Sequence, residues 1–323
     1  MSHFIVHSDA LTSIPSITHH RLLSSTGPTA ATHASTLVPQ ETYDGGFPDA
    51  QVVRLRVGNG GAGQSGLIKA FADAFIQDQV AQGVPPFKVE WYLGDTTQSL
   101  QYLAAKYIDV ALTYNEAAEL ASVRSGAAVD RELVFLDHFY LVGPTVNPAN
   151  LSVENDRTSD MFNKIVACGN ADVAIPPDPE VRPPTRFLSR FDKSATNIKE
   201  SQQFIAIGQV PWALSYSAWY HQYPQFPLQA LEAASVLSEY TLTDRGTWLS
   251  SPTNVTSQLT IFKAGSDENP ELYNPCNALL SEEPEDEIAR TFMDWLVALD
   301  GGQKVVSNFV KHGEVLYTPA VIP

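Results

Sequence analysis

A glycine-rich turn carries the clearest chemical potential in this sequence. Gly58, Gly60 and Gly63 have the spacing G-x-G-x-x-G, after an alternating apolar segment and before an amphipathic one. Such a turn lets backbone N–H groups approach a ligand, and a helix N-terminus behind it favours an anion. Asn59, Gly60 and Gly61 are the candidate ligand contacts. Three interpretations are open: an anion or polar-ligand site, a dinucleotide site, and a tight turn without a ligand.

A dinucleotide site would make the chain a Rossmann-type, NAD(P)-dependent oxidoreductase. That site normally includes an acidic residue about 20 residues beyond the glycines. The available candidate, Asp95, lies 32 residues beyond Gly63. The oxidoreductase is therefore kept as an alternative.

Motifs for covalent or metal chemistry are missing from the sequence. Ser65 follows Gly63-Gln64, which is not the G-x-S-x-G motif, and there is no Walker lysine and no H-E-x-x-H. Cys168 and Cys276 are too far apart for a metal knuckle. Five of the eight histidines lie in the first 50 residues without a regular ligand spacing. We expect no catalytic residue, no cofactor and no metal.

The glycine turn belongs to a β-α-β-α-β pattern. Alternating apolar residues predict strands near 53–57, 88–93 and 108–112, and apolar faces predict helices between them, the first capped by Ser65. This order is typical of an α/β fold with a parallel sheet. Tyr114 and Asn115 follow the third strand, where ligands gather in such sheets, so we expect both to face a cleft.

Composition bounds the class of protein. The 323 residues are 44% hydrophobic and 17% charged, which is enough for a large core. The net charge is −16, and such an acidic surface repels phosphate backbones, so we expect no nucleic-acid partner. No apolar run approaches the roughly 20 residues that span a bilayer. As written, the N-terminus has no secretory signal, which predicts a cytoplasmic protein.

Six segments between residues 189 and 319 have a distinctive order. They are SRFDKSAT at 189–196, YTLTDRGTWL at 240–249, LYNP at 272–275, FMDWL at 292–296, GQK at 302–304 and YTP at 317–319. Over about residues 52–323, the chain resembles the tungstate-binding, substrate-capturing proteins of ABC transporters.

The resemblance implies a two-lobed, type II periplasmic-binding-protein-like fold. Each lobe would hold a mixed, mainly parallel sheet flanked by helices, with a ligand cleft between the lobes. We predict a flexible N-terminal extension over 1–50, lobe I over 51–140 plus 263–323, and lobe II over 141–262.

The resemblance also implies which residues bind the ligand, because the family holds an oxyanion with loop hydroxyls, amides and an arginine. The matching positions are Arg190, Ser194 and Thr196 in lobe II, Thr96, Thr97 and Gln98 in a lobe I loop, and Gln225 in a loop that is glycine-rich in the family. The first family loop, Thr-Thr-Thr-Ser, is replaced here by Gly58-Asn59-Gly60-Gly61. Backbone amides would have to compensate for the lost hydroxyls.

These observations predict a non-catalytic solute-binding protein. Its ligand would be a small anion or polar molecule, by resemblance an oxyanion such as tungstate or molybdate. It would act as a monomer, with a membrane transporter as its partner, and the family works outside the cytoplasmic membrane if a leader precedes this chain. Besides the oxidoreductase, a binding fold that has lost its ligand and become an interaction protein stays open.

Overall fold

The computed structural model of the chain describes residues 37–213 and 217–321. Most of the predicted N-terminal extension, with five of the eight histidines, lies outside these residues. The strands are β1 (Glu41–Tyr43), β2 (Val53–Asn59), β3 (Lys88–Leu93), β4 (Val110–Thr113), β5 (Ala128–Pro144), β6 (Phe187–Ser189), β7 (Tyr220–Gln222), β8 (Tyr240–Asp244), β9 (Leu259–Ala264), β10 (Tyr273–Ser281), β11 (Val310–Lys311), β12 (Glu314–Val315) and β13 (Thr318–Pro319). The helices are α1 (Gly61–Ser65), α2 (Leu67–Ala81), α3 (Thr96–Ala104), α4 (Glu116–Arg124), α5 (Thr158–Ala174), α6 (Ala195–Ala206), α7 (Pro227–Leu237), α8 (Arg245–Ser250), α9 (Thr253–Thr256), α10 (Ile288–Val297) and α11 (Gly302–Asn308).

The predicted β-α-β-α-β order is confirmed. β2 pairs in parallel with both β3 and β4, so the three strands end at the same edge of the sheet. Leu55 and Val57 of β2 are fully buried, as their alternation predicts. Gly66, and not Ser65, caps α2, because its left-handed φ of 96° separates α2 from the short α1.

Strand β5 belongs to two sheets. Its first part, up to His138, pairs antiparallel with β10, beside the parallel set β3-β2-β4. Its last part, from Phe139, pairs antiparallel with β8 and β9, and β8 continues into the parallel strands β6 and β7. The α/β class and the mixed character of the sheets are confirmed. The expectation of mainly parallel pairing is wrong, because β5 and β10 run antiparallel to their neighbours, so that among the described residues six strand pairs of these sheets are antiparallel and four are parallel.

Each sheet has its own aromatic core. Beside the first sheet, Phe75 of α2 packs edge-on against Phe292 of α10, with ring centroids 5.0 Å apart. Beside the second sheet, Phe204 of α6 packs against Phe162 and Phe187 at 5.0 and 5.1 Å. Two separate cores joined by shared strands are what a two-lobed molecule requires. The predicted lobe ranges stay a prediction about which residues move together.

Regular structure begins earlier than the sequence predicts. β1 pairs with β3 at the edge of the first sheet, and both Tyr43 and Ala50 are buried. A three-residue edge strand is too short to show a periodicity, so the sequence pattern alone places residues 41–50 in the N-terminal extension. In the part of the chain that the structure describes, no helix is both long and apolar enough to cross a membrane.

Packing accounts for the glycines of the G-x-G-x-x-G turn. A Cβ on Gly63 would lie 2.2 Å from the Trp91 ring, and a Cβ on Gly58 would lie 2.4 Å from Ile108. The Trp91 indole also donates a hydrogen bond to the Asn59 carbonyl at 2.9 Å. The glycine spacing therefore follows from close contacts within the first sheet.

We predict that Gly63→Ala destabilises the protein by about 1–3 kcal/mol, because the added methyl must displace the Trp91 ring. Gly61→Ala is the matched control: nothing lies within 4 Å of a Cβ there, so the expected change is within about 0.5 kcal/mol. Urea unfolding followed by tryptophan fluorescence measures both. Equal midpoints for the two variants would contradict this account of the turn.

Candidate functional site

Loops that follow β2, β3 and β4 gather the predicted lobe I residues at one edge of the first sheet. Gly60 and Gly61 follow β2, Thr96 begins α3 after β3, and Tyr114 follows β4. The Tyr114 backbone N–H donates to the Thr96 hydroxyl at 3.2 Å, which ties two of these loops together. The parallel register thus brings these predicted residues into one region.

Asn59 uses its side chain inside the lobe. The residue is fully buried, its Nδ2 donates to the Leu112 carbonyl at 2.8 Å, and its Oδ1 accepts from the Gly63 N–H at 2.8 Å. The amide therefore holds the end of β2 against β4 and shapes the turn. A direct contact between this side chain and a ligand stays a prediction, and the structure gives the amide a different role.

The α3 loop residues divide into capping and exposed groups. Gln98 completes a capping box: its N–H donates to Asp95 at 2.8 Å and its Oε1 accepts from the Asp95 N–H at 3.0 Å. Thr97 is exposed. Thr96 and Thr97 keep the positions expected of ligand-facing hydroxyls, whereas Gln98 stabilises the start of α3.

A buried carboxylate fixes the loop that carries Tyr114 and Asn115. The Asn115 side chain caps α4 by accepting from the Ala118 N–H at 3.0 Å. Glu119 accepts from the Thr113 hydroxyl and the Asn115 N–H, and it pairs with Arg131 at 2.8 Å. Burial raises the pKa of Glu119, and the hydrogen bonds from Arg131 and Thr113 oppose that shift. Asn115 therefore positions the loop. The partly exposed Tyr114 packs against Phe135, with ring centroids 6.2 Å apart, and its contact with a ligand stays a prediction.

Two of the lobe II residues, Arg190 and Thr196, line a narrow crevice at the carboxyl ends of β6 and β8, which in this structure is too tight to admit a water molecule. Arg190, from the loop after β6, shares this crevice with Thr196 of α6 and with Thr243 and Asp244 of β8. Ser194 caps α6 by accepting from the Asn197 N–H at 3.3 Å. The structure therefore places two of the predicted residues, Arg190 and Thr196, at the same crevice. Ser194 caps α6, the helix that carries Thr196.

The guanidinium of Arg190 is held on one edge. Its Nη2 pairs with Asp192 at 2.5 Å, and its Nε donates to the Gln225 carbonyl at 3.1 Å. Neither contact involves Nη1. The Gln225 side chain is exposed, so in this structure Gln225 meets Arg190 through its backbone. The Arg190 side chain is only 11% exposed, and it shares the crevice with the hydroxyl-bearing residues Thr196 and Thr243.

Sequence reasoning missed the groups at the junction of the two sheets. The Tyr317 hydroxyl donates to Ser65 Oγ at 2.9 Å, across 252 residues of sequence. Asp137, on β5, lies two residues before Phe139, which is paired with Asp244. A charged residue inside an apolar strand was the one available signal for Asp137.

Charge at this junction is reduced by protonation. Burial, followed by the nearby Asp244 carboxylate, raises the pKa of Asp137 to about 8, although the His138 N–H donates to it at 2.8 Å. Burial also holds the pKa of Tyr317 well above its usual value. At neutral pH the Asp137 carboxyl is therefore mostly protonated, which lowers the negative charge at this junction.

Metal and thiol chemistry find little support in residues 37–213 and 217–321. No group of three or more His, Cys, Asp or Glu side chains there is placed to hold a metal ion. Cys168 and Cys276 are both free thiols. Burial raises the pKa of the Cys276 thiol well above its usual value, so it remains unionised.

Comparison with known proteins identifies relatives with a binding role. A family model described as a PBP superfamily domain matches residues 25–298. A Haloferax volcanii protein, described as a candidate ABC transporter anion-binding protein, is 27% identical over 216 residues, 65% of this chain and 57% of its own length. The tungstate-binding protein TupA of Peptoclostridium acidaminophilum is 28% identical over 226 residues, 69% of this chain and 72% of its own. The chain thus spans less than two thirds of the first of these relatives.

A solved structure is more similar still. The crystal structure of a candidate periplasmic metal-binding protein has 47% sequence identity and a TM-score of 0.80, covering 88% of this chain and all of its own. The two-lobed fold class is therefore confirmed. None of these relatives is described as an oxidoreductase, so the Rossmann alternative is not supported.

Stability should report the Asp137 titration directly. Folding raises the pKa of this carboxyl from near 4 to about 8, so the folded state holds a proton that the unfolded state releases, and stability falls as pH rises through that window. Asp137→Asn lacks the titration. We expect the unfolding free energy of Asp137→Asn, relative to the unmodified protein, to rise from pH 5 to pH 9 in urea titrations. A difference that is constant with pH would contradict the assignment.

Proposed function

Because the chain belongs to the PBP superfamily, we propose that it is a solute-binding protein that captures a small oxyanion at the junction of its two sheets. Its curated relatives are described as anion- and tungstate-binding proteins, which supports this ligand class. The proposed function involves no catalysis, which is consistent with the sequence motifs described above.

The observation that carries the proposal is the Arg190 crevice. A guanidinium and a threonine hydroxyl both donate hydrogen bonds, and charge-assisted bonds to an oxyanion are roughly twice as strong as neutral ones. Arg190, Thr196 and Thr243 lie together where two parallel strands end. On the other side of the junction, the Gly60–Gly61 turn follows β2 of the first sheet, and we propose that its backbone N–H groups complete the anion site.

The loop after β2 would contact an anion through its backbone. The hydroxyls of the resembling family are replaced by glycines, and Asn59 is already hydrogen-bonded within the lobe. Only backbone N–H groups remain in that turn to meet a ligand. Because curated relatives are described as binding an anion and tungstate, we propose an oxyanion as the ligand class, with tungstate as the first probe.

A transporter partner and a location outside the cytoplasmic membrane complete the proposal. One relative is described as an ABC transporter anion-binding protein, and the relative with 47% identity as periplasmic. The comparisons do not support the cytoplasmic location predicted from the sequence. We also propose that the protein acts as a monomer, with the two lobes closing over the anion.

Thermal unfolding with added tungstate, molybdate, sulfate or phosphate tests the ligand class. A ligand at about 100 times its Kd stabilises a protein by about 2.7 kcal/mol, which gives a readily measured rise in Tm. Arg190→Gln should remove most of that rise, because the anion loses its charged donor. Arg157→Gln removes the same charge from an exposed site and should leave the rise unchanged.

Two outcomes would contradict the proposal. A Tm that no oxyanion raises would favour a binding fold that has lost its ligand. A rise that persists in Arg190→Gln would remove the crevice from the binding site and leave oxyanion binding to another part of the protein.

A further inference from the structure

The loop that carries Arg190 has an unusual backbone. Phe191 and Lys193 have φ angles of 44° and 64°, in the left-handed region that side chains other than glycine seldom occupy. A loop with two such residues keeps its shape only if its surroundings hold it there.

One buried carboxyl group lies beneath both left-handed residues. The Phe191 N–H donates to Ser189 Oγ at 3.1 Å, and Ser189 Oγ in turn donates to Glu200 Oε1. The Lys193 N–H donates to Asn197 Oδ1 at 3.1 Å, and Asn197 Nδ2 donates to the same Glu200 oxygen at 2.7 Å. Two chains of hydrogen bonds, linked by a longer bond of 3.4 Å from Asn197 Nδ2 to Ser189 Oγ, therefore end on one atom.

Glu200 is placed for this role and has no ionic partner among the described residues. It lies on α6, is fully buried, and accepts a third, longer bond from the Tyr220 hydroxyl at 3.4 Å. Its other oxygen, Oε2, has no hydrogen-bond partner in the part of the chain the structure describes. Burial raises the pKa of Glu200 to about 8, against these hydrogen bonds, which lower it. Burying a carboxyl group without an ionic partner costs free energy, and we attribute that cost to the role of Glu200 in holding the loop.

We propose that Glu200 is a positioning residue for the anion clamp: through Ser189 and Asn197 it holds the 190–194 loop so that the Arg190 guanidinium faces the crevice. The inference rests on the proposed function, and it adds a residue 10 positions away from the arginine that does not touch the ligand. Loss of the shared acceptor frees the backbone at Phe191 and Lys193, and the guanidinium loses its orientation.

Tungstate affinity, measured by isothermal titration well below Tm, tests the proposal. Glu200→Leu removes the acceptor and should weaken binding by about tenfold or more, since small misplacements of a binding group are costly. Glu200→Gln keeps an oxygen acceptor and should bind within about threefold of the unmodified protein. Glu239→Leu is the matched control, because Glu239 is an equally buried lobe II carboxylate that pairs with Arg186 and His221 instead. It should lower Tm without a comparable loss of affinity.

A double-mutant cycle separates positioning from a general loss of stability. If Glu200 acts through the arginine, Glu200→Leu should weaken an Arg190→Lys protein far less than it weakens the unmodified one. Equal losses in the two backgrounds, or unchanged binding by Glu200→Leu, would overturn the inference. Ser189→Ala breaks the same chain of bonds with a small change, and it serves as the test if Glu200→Leu does not fold.

Amide hydrogen exchange, measured without any ligand, tests the positioning role of Glu200 separately from the proposed oxyanion binding. The Phe191 and Lys193 amides should exchange faster in Glu200→Leu than in Glu239→Leu. Unchanged exchange would overturn the positioning role even if tungstate binds. If the unmodified protein binds no oxyanion while exchange responds as expected, the loop assignment stands and the proposed function fails.

Discussion

The shared strand β5 is the constraint on which the rest of the structure depends. Its 17 residues pair with β10 on one side of His138 and with β8 and β9 on the other. One continuous strand thus joins two sheets, each with a separate aromatic core. His138 is buried at this junction, where its ring nitrogens contact the Gly265 carbonyl at 2.9 Å and the Thr318 hydroxyl at 3.0 Å.

The arrangement of the two sheets around β5 also determines where we expect a ligand to bind. Parallel strands of both sheets end in loops, and cleft ligands bind beyond such carboxyl ends. The protein has a net charge of −16, and Asp137, Asp192 and Asp244 all lie near the proposed site, so the overall field opposes an anion. Local interactions must outweigh that field: the Arg190 guanidinium and the threonine hydroxyls can donate to an anion, and protonation of the Asp137 carboxyl removes one negative charge nearby. Short-range hydrogen bonds, and not net charge, explain an anion site here.

How far the sequence predicts this arrangement depends on the range of each interaction. Alternation identified β2, β3 and β4, because that signal lies within a few residues, whereas the role of Arg190 came from the family resemblance and stays a prediction. The side-chain contact of Asn59 with Leu112 could not be predicted locally, since Leu112 comes from a strand 53 residues away. The Tyr317–Ser65 bond spans 252 residues, and no local pattern reports it. Packing at Gly63 was equally invisible, because Trp91 supplies the contact.

Crystals grown with tungstate would test the central claim most directly, through anomalous diffraction at a tungsten absorption edge. The account predicts one strong peak at the junction of the two sheets, within hydrogen-bond distance of the Arg190 guanidinium and bordered by β8 and the turn after β2. A tungsten peak elsewhere, or no peak at the junction in crystals grown at saturating tungstate, would contradict the account.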